Sequence, residues 1–234
     1  MYHAADSRGH ANHGWLNTYH TFSFANYHDP ERMHFGALRV LNDDEVAGGR
    51  GFGSHPHDNM EIISIPLEGD LEHMDNMGNK TVIREGDIQV MSAGTGVVHS
   101  EKNKNADRPV RFLQIWLFPN ERNVTPRYDQ VRIDTKGDGW QTVLTSRDEA
   151  TEGSVWIHQD ARFRIGRLAA GSRHTYSGVK EGHGTYLFVL EGSAELNGRT
   201  LDRRDGIGIT GVREFDLTVG PEGARILAME VPMN

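Results

Sequence analysis

The sequence predicts an all-β protein built from two antiparallel β-barrels of the jelly-roll type, packed face to face. Short apolar runs follow one another along the chain and are separated by Gly, Asn and Asp. No segment sustains a helical period, apart from a short piece near residues 146–150. The 27 glycines suit many tight turns, and 234 residues suffice for one large β domain or two small ones.

The predicted strands form two sets along the chain. The first set comprises Glu61–Leu67, Thr81–Ile83, Ile88–Met91 and Val110–Phe118. The second set comprises Ser154–His158, Arg162–Leu168, Thr185–Leu190, Ile207–Thr210, Phe215–Val219 and Arg225–Val231. Hairpin turns are indicated at Asn76-Met77-Gly78-Asn79 and at Asn197-Gly198, because Asn and Gly adopt the backbone angles of tight turns.

The two halves of the chain also echo each other. Leu67-Glu68-Gly69 leads through a hairpin to Gly86-Asp87-Ile88-Gln89-Val90. In the second half, Leu190-Glu191-Gly192 leads through a hairpin to Asp205-Gly206-Ile207-Gly208-Ile209. This short internal repeat predicts two copies of one barrel, with the boundary in the polar stretch 127–139.

Composition excludes several classes of function. The formal charge is −8 and no cluster of Lys and Arg offsets it, which argues against direct binding of nucleic acid. The chain has no cysteine, so a disulfide framework and a thiolate metal site are both excluded. The first 14 residues are polar, unlike a signal peptide, and no apolar run approaches the roughly 20 residues of a membrane helix. We therefore expect a cytoplasmic protein that does not bind membranes.

Two histidine pairings suggest a single metal site. They are His55-Pro56-His57 and His99-Ser100-Glu101. Residues two apart in a strand share a face, so each triplet presents two donor side chains to one cavity. Three imidazoles and a carboxylate suit Fe(II), Ni(II), Mn(II), Cu(II) or Zn(II), and the spacing does not choose among them. Glu61 is a rival carboxylate, because in a regular strand it shares the parity of His55 and His57.

The stretches around these residues resemble the two motifs of the cupin family. Residues 53–69, beginning Gly53-Ser54-His55-Pro56-His57, resemble the first motif, and Gly86 to Asn103 resembles the second. Two departures stand out. Glu61 falls one place earlier than the usual cupin glutamate, and Gly94-Thr95-Gly96 stands where a proline is expected before the glycine of the second motif.

Those departures, with several other runs, resemble the pirin family of bicupins. The runs are Arg8 to Leu16, His20 to Tyr27, Leu38 to Asp44, Ser92 to Gly96 and Gln114-Ile115-Trp116. Within the family, Leu71 to Asn79 and Thr125-Pro126-Arg127-Tyr128 are similar to the bacterial branch that includes quercetin 2,3-dioxygenases. The resemblance is dense in the first half and loose in the second.

The resemblance implies that His55, His57, His99 and Glu101 bind one divalent transition metal, with Fe(II) expected first and Ni, Mn, Cu and Zn as alternatives. It favours Glu101 over Glu61 as the carboxylate ligand. Pro66 is expected to mark a bulge or strand end, where the alternation that relates Glu61 to the histidines is broken.

We accordingly expect an N-terminal metal-binding cupin domain at residues 1–134 and a degenerate C-terminal cupin domain at 135–234. No histidine follows His183, and the positions equivalent to His55 and His57, counted back from Gly192, are Gly178 and Lys180. The second domain is therefore expected to bind no metal and to serve as a scaffold.

The function implied by the resemblance is a dioxygenase that opens the heterocyclic ring of a flavonol such as quercetin with O2 and releases CO. The 3-hydroxyl of the substrate would bind the metal as an oxyanion, and Glu101 would be the catalytic base that takes its proton. The implied partners are thus a small phenolic compound and O2, and a monomer is expected. One alternative is a metal- or redox-sensitive regulator that binds a partner protein. Another is an enzyme for a different phenolic compound or small oxyanion.

The other histidines and the aromatic residues carry plainer predictions. His10, His13 and His20 are expected to pack or form hydrogen bonds, and His73 to lie away from the metal, with contact at the cavity mouth as the alternative. Surface or turn positions are expected for His28, His34, His158, His174 and His183. Core packing, rather than a substrate-binding box, is expected for Trp15, Phe22, Phe24, Trp116 and Phe118.

Overall fold

A computed structural model of the chain describes residues 1–133 and 137–234. Within those residues it contains 20 β-strands and two short 3₁₀ helices, Ala5–Ser7 and Arg147–Glu149. The strands of the first half are β1 Tyr2–His3, β2 Gly9–Asn12, β3 Leu16–His20, β4 Leu38–Val46, β5 Gly51–His57, β6 Glu61–Glu68, β7 Asp70–Asp75, β8 Lys80–Arg84, β9 Asp87–Ser92, β10 Val97–Asn103, β11 Val110–Leu117 and β12 Arg127–Arg132. Those of the second half are β13 Gly139–Ser146, β14 Val155–Ile157, β15 Arg162–Leu168, β16 Arg173–Ser177, β17 His183–Leu196, β18 Arg199–Leu201, β19 Gly206–Thr210 and β20 Glu214–Pro232.

The strands form three sheets. In the first half, a seven-stranded sheet of order β12-β9-β6-β11-β4-β3-β2 faces a four-stranded sheet of order β5-β10-β7-β8. In the second half, one nine-stranded sheet runs β1-β19-β17-β20-β15-β13-β14, with β16 paired to β20 and β18 to β17. All these pairs are antiparallel except β13 with β14. The predicted all-β architecture is confirmed.

Each predicted strand falls on an observed one, with a single difference in the second half. Phe215–Val219 and Arg225–Val231 belong to one long strand, β20, rather than two. The ladder between β17 and β20 continues through two register shifts, one between Val189 and Glu191 and one between Gly192 and Ala194. These irregularities bend the pair without breaking it, because a bulge re-aims a strand and keeps most of its pairing.

A central hydrophobic core joins the two halves. The seven-stranded sheet contributes Ile63, Ile65, Leu113 and Ile115, and the nine-stranded sheet contributes Phe163, Tyr186, Phe188, Leu227 and Met229. These side chains are almost fully inaccessible to solvent. Burial of each such side chain stabilises the fold by roughly 1.5–3 kcal/mol. The predicted face-to-face packing is therefore the main contact between the barrels, and the opposite face of each large sheet lines the interior of its own barrel.

The predicted domain boundary, between residues 134 and 135, lies outside the described residues. On its two sides, β12 pairs with β9 of the first half and β13 pairs with β15 of the second. The N-terminal strand β1 crosses over to pair with β19. Across the described parts of the chain, no helix has both the length and the apolar character needed to cross a membrane.

The repeated Leu-Glu-Gly segments place a glycine of positive φ just after the end of β6 and at an irregularity within β17. Gly69 has φ +78° and Gly192 has φ +69°, a region in which L-residues with a side chain are strained. A methyl group on Gly69 would lie 3.0 Å from the carbonyl oxygen of Pro109. A methyl group on Gly192 would overlap the carbonyl oxygen of Gly223. Glycine is thus required at Gly192 both by the backbone angle and by the neighbouring strand.

We predict that Gly192→Ala destabilises the protein more than Gly198→Ala. Gly198 also has a positive φ, +76°, but a methyl group there would meet nothing within 4 Å. The control should lose about 1–2 kcal/mol for the left-handed backbone alone. Gly192→Ala should lose a further 1–3 kcal/mol or so for overpacking, measured by urea unfolding. Equal losses would show that the close approach to Gly223 does not constrain the fold.

Candidate metal centre

Three imidazole rings converge on the paired strands β5 and β10 of the four-stranded sheet. His55 and His57 lie on β5, and His99 lies on β10, directly opposite His55 in the ladder. One nitrogen from each ring lies within 4.8 Å of the other two, the only such grouping of three donors in residues 1–133 and 137–234. The Nε2 atoms of His55 and His99 are 3.1 Å apart. The structure therefore brings the three predicted histidines together.

Hydrogen bonding orients one of these rings for cation binding. Nδ1 of His55 lies 2.7 Å from the carbonyl oxygen of Gly53. A carbonyl only accepts hydrogen bonds, so Nδ1 carries the proton and Nε2 of the neutral ring directs its lone pair at His99. A metal ion needs such unprotonated nitrogens, and three imidazoles suit Fe, Ni, Cu or Zn. The donor set fits a divalent transition metal.

The electrostatic environment keeps two of the rings neutral. Burial, followed by the neighbouring charge of His55, lowers the pKa of His57 to about 4. Burial, followed by the charges of His55 and His57, lowers the pKa of His99 to about 3. Both rings are thus available as unprotonated ligands over the physiological pH range, since metal binding requires the neutral imidazole.

Glu101 lies in the same barrel interior, two residues beyond His99 on β10. It is 1% exposed. Its Oε1 accepts a hydrogen bond from Ser64 Oγ and its Oε2 accepts one from Gln114 Nε2, both at 2.9 Å. Burial raises the pKa of Glu101. The carboxyl group is held toward the seven-stranded sheet and is not one of the three donors within 4.8 Å of one another.

The rival carboxylate, Glu61, faces the other side of its sheet. It shares its side of β6 with Ile63 of the central core, and its Oε2 accepts a hydrogen bond from Ser92 Oγ at 2.7 Å. The alternation that would place Glu61 on the same side as His55 and His57 is broken, as expected, but not at Pro66. The break occurs between β5 and β6, where Asn59 adopts φ +45°. Pro66 does adjoin a register shift in the pairing of β6 with β11, as expected of a bulge.

His73 lies behind His99, deeper than the cavity mouth. It is fully buried on β7, directly opposite Glu101. Its Nδ1 is 3.5 Å from Nδ1 of His99, and its Nε2 is 2.9 Å from Oδ2 of Asp75. Sequence reasoning did not assign this residue a role. The available signal was the His-x-Asp alternation immediately before the hairpin at 76–79, which places both side chains on one face of the strand.

An aromatic ring, an apolar cluster and two buried polar groups lie near the histidines. The Trp116 ring meets His57 edge to face, with centroids 5.0 Å apart at 81°. Both its Nε1 and the Nε2 of Gln89 are buried, and neither has a hydrogen-bond partner within residues 1–133 and 137–234. Ile62, Met91 and Val97 form the apolar cluster packed against Trp116. Trp116 thus borders the site, whereas Phe22 belongs to the core as expected and Phe118 is 41% exposed, contrary to expectation.

Other predictions for single histidines have mixed outcomes. His28 and His34 are exposed, as expected. His20 is buried and its Nδ1 lies 2.9 Å from Asn42 Oδ1, which agrees with the packing role. His158 and His183 are only 8% and 9% exposed. His158 lies in a bend after β14, whereas His183 begins β17, so the prediction of a surface or turn position is wrong for His183. Both lie in the second half, where contacts between distant strands decide burial.

Both halves of the chain match models of known protein families. The Pirin family model matches residues 2–117, and the model for the quercetinase C-terminal cupin domain matches residues 143–231. A quercetin 2,3-dioxygenase from Escherichia coli strain K12 is 45% identical over 88% of this chain and 87% of its own length. A pirin-like protein from Caulobacter vibrioides is 43% identical over 87% of this chain and 88% of its own.

A solved structure agrees over the whole chain. The bacterial pirin YhhW from Escherichia coli, in complex with nickel(II), superposes with a TM-score of 0.94 at 39% identity, covering 100% of this chain and 99% of that one. The fold and site therefore define a bicupin with a candidate histidine metal centre in its first barrel. The chain belongs to the pirin family.

We predict that Glu61→Gln flattens the dependence of stability on pH. Burial raises the pKa of Glu61 to about 7, above its value in the unfolded chain. The folded state therefore holds the proton more tightly, and stability falls as the pH rises from about 4 to about 7. The variant should therefore be more stable than the parent at pH 8, and this gain should exceed the gain at pH 5 by about 1–3 kcal/mol. Urea unfolding at the two pH values measures it.

The matched control is Glu68→Gln, which changes an exposed carboxylate of the same strand that pairs with Arg111. It should show no comparable gain between pH 5 and pH 8. Parallel stability profiles for the parent and Glu61→Gln would contradict the assignment of Glu61 to the buried interface.

Proposed function

We propose that the chain is a metal-dependent dioxygenase that opens the heterocyclic ring of a flavonol such as quercetin with O2 and releases CO. The observation that carries the proposal is the convergence of His55, His57 and His99 within 4.8 Å, beside the buried carboxyl group of Glu101. Family membership and a relative named quercetin 2,3-dioxygenase support the reaction class.

In this proposal, His55, His57, His99 and Glu101 hold one divalent ion. Fe(II) is the expected metal, and the nickel(II) in the similar pirin structure supports nickel as an alternative. Each oxygen of Glu101 accepts one hydrogen bond from the protein and keeps a lone pair for a further interaction. When bound, the metal would supply a Lewis acid and a template for the substrate.

The protein groups around the ion have distinct tasks. Glu101 accepts the proton of the flavonol 3-hydroxyl on one of its carboxylate oxygens. The unpartnered N–H groups of Trp116 and Gln89 donate hydrogen bonds to substrate oxygens. The apolar cluster around Ile62 and Met91 packs against the aromatic rings and excludes water. A mostly apolar cavity with a few directed polar groups is typical of sites for small aromatic ligands.

We predict one divalent metal per chain, removed by His55→Ala or His99→Ala. Elemental analysis after anaerobic purification gives the count, and thermal unfolding verifies that both variants remain folded. Glu101→Ala should lose more affinity than Glu61→Ala in calorimetric titration, because Glu61 faces the central core. Two tightly held ions per chain, or the reverse order of the two glutamates, would contradict the ligand set.

We also predict that Glu101→Gln lowers flavonol cleavage about 10²–10⁴-fold in protein that is fully loaded with metal. Glutamine keeps an oxygen donor and a similar volume but cannot take the hydroxyl proton. Oxygen uptake with 3-hydroxyflavones measures the effect, and flavones without the 3-hydroxyl should give none with the parent protein. If metal-replete parent protein consumes no oxygen with any 3-hydroxyflavone, the enzyme proposal fails and a regulator that binds a partner protein is favoured.

A further inference from the structure

We propose that His73, held by Asp75, is a positioning residue that keeps the proton of His99 on Nδ1 and so directs Nε2 of His99 at the metal. The inference rests on the proposed metal site. It assigns a role to two buried residues that do not reach the site themselves, and it is carried by hydrogen-bond geometry alone.

The relay is the series of hydrogen bonds from Asp75 through His73 to His99. It begins at Asp75, whose position is fixed by the hairpin. Its Oδ1 accepts backbone hydrogen bonds from Met77 at 2.9 Å and Asn79 at 3.0 Å. Its Oδ2 accepts one from Asn79 Nδ2 at 2.8 Å and faces His73 Nε2 at 2.9 Å. These donors, and the complete burial of the side chain, hold the carboxylate in a single orientation. Because a carboxylate only accepts, Nε2 of His73 must carry a proton.

The second step passes this constraint to His99. In a neutral ring only one nitrogen is protonated, so Nδ1 of His73 is left with a lone pair. That atom lies 3.5 Å from Nδ1 of His99. His99 can satisfy the lone pair of His73 only by donating its Nδ1–H. Nε2 of His99 is then unprotonated. The tautomer of each ring follows from the one before it.

The third step concerns the space between the strands. His55 is constrained independently, because its Nδ1 donates to Gly53. Two unprotonated Nε2 atoms therefore lie 3.1 Å apart. Two lone pairs at this distance repel each other unless a cation lies between or beside them. Gly53 and His73 thus leave Nε2 unprotonated, and able to bind a metal, on His55 and His99.

A plainer role for His73 is packing, since its ring lies against Tyr128 with centroids 4.8 Å apart. The two roles predict different behaviour. Packing depends on the size of the side chain. The relay depends on an acceptor atom at the position of Nδ1, which asparagine supplies through its Oδ1 and leucine does not.

The test compares His73→Leu with His73→Asn, using Zn(II) as a diamagnetic probe in the full-length chain. We expect calorimetry to show affinity about 10–100-fold weaker for His73→Leu, the usual effect of removing a group that orients a metal ligand. His73→Asn should bind close to the parent value. The control, His20→Leu, removes another buried imidazole of the same barrel, one that bonds to Asn42, and should leave affinity unchanged.

A second readout follows the proton itself. In the zinc-loaded parent, ¹⁵N-histidine spectra should show His99 protonated at Nδ1 and bound through Nε2. The Nδ1 proton should exchange faster with water in His73→Leu and at the parent rate in His73→Asn. If His73→Leu does not fold, Asp75→Asn replaces it, because the amide no longer forces the proton onto Nε2 of His73. This variant should likewise weaken zinc binding and speed the exchange.

Two results separate the inference from the proposed function. If the parent binds zinc through His99 Nε2 but His73→Leu matches it in affinity and proton exchange, the relay is wrong and the metal site stands. Binding through His99 Nδ1 would also overturn the relay. If the parent binds no zinc at the three histidines, both the relay and the metal site fail.

Discussion

The antiparallel pairing of β5 with β10 is the interaction on which the candidate site depends. It places His55 directly opposite His99, and the short-range alternation of β5 adds His57 on the same side. The pairing of β10 with β7 then sets Asp75 opposite His99 and His73 opposite Glu101. Three adjacent strands thus supply the converging imidazoles, the buried carboxyl group and the residues behind them.

The central core gives the seven-stranded sheet two different faces. One face packs against the second half of the chain, and Glu61 lies there with Ile63. The other face looks into the first barrel, where Ser64 and Gln114 hold Glu101. Because side chains alternate along a strand, Glu61 and Ser64 belong to opposite environments. The different environments of the two glutamates therefore follow from the packing of the barrels.

The sequence was sufficient for the features that depend on local periodicity. The i, i+2 spacing of His55 and His57, the turn at Asn197-Gly198 and the alternating core strands could all be predicted, since each uses only neighbouring residues. The side chain of Glu61 could not be oriented, because the positive φ of Asn59 resets the alternation. The role of His73 also escaped prediction, since it depends on which strand lies beside β10. In the second half, Lys180, which the count back from Gly192 aligned with His57, forms ion pairs with Glu149 and Asp160.

The central claim is that one metal ion lies between β5 and β10, held by side chains from the first barrel alone. Anomalous diffraction from crystals of the metal-loaded chain, recorded at the absorption edge of the bound metal, tests it most directly. The account predicts a single strong peak per chain, bonded to one nitrogen each of His55, His57 and His99 and to an oxygen of Glu101. A peak bonded to Glu61, a peak within the second barrel, or no peak between the three histidines would contradict it.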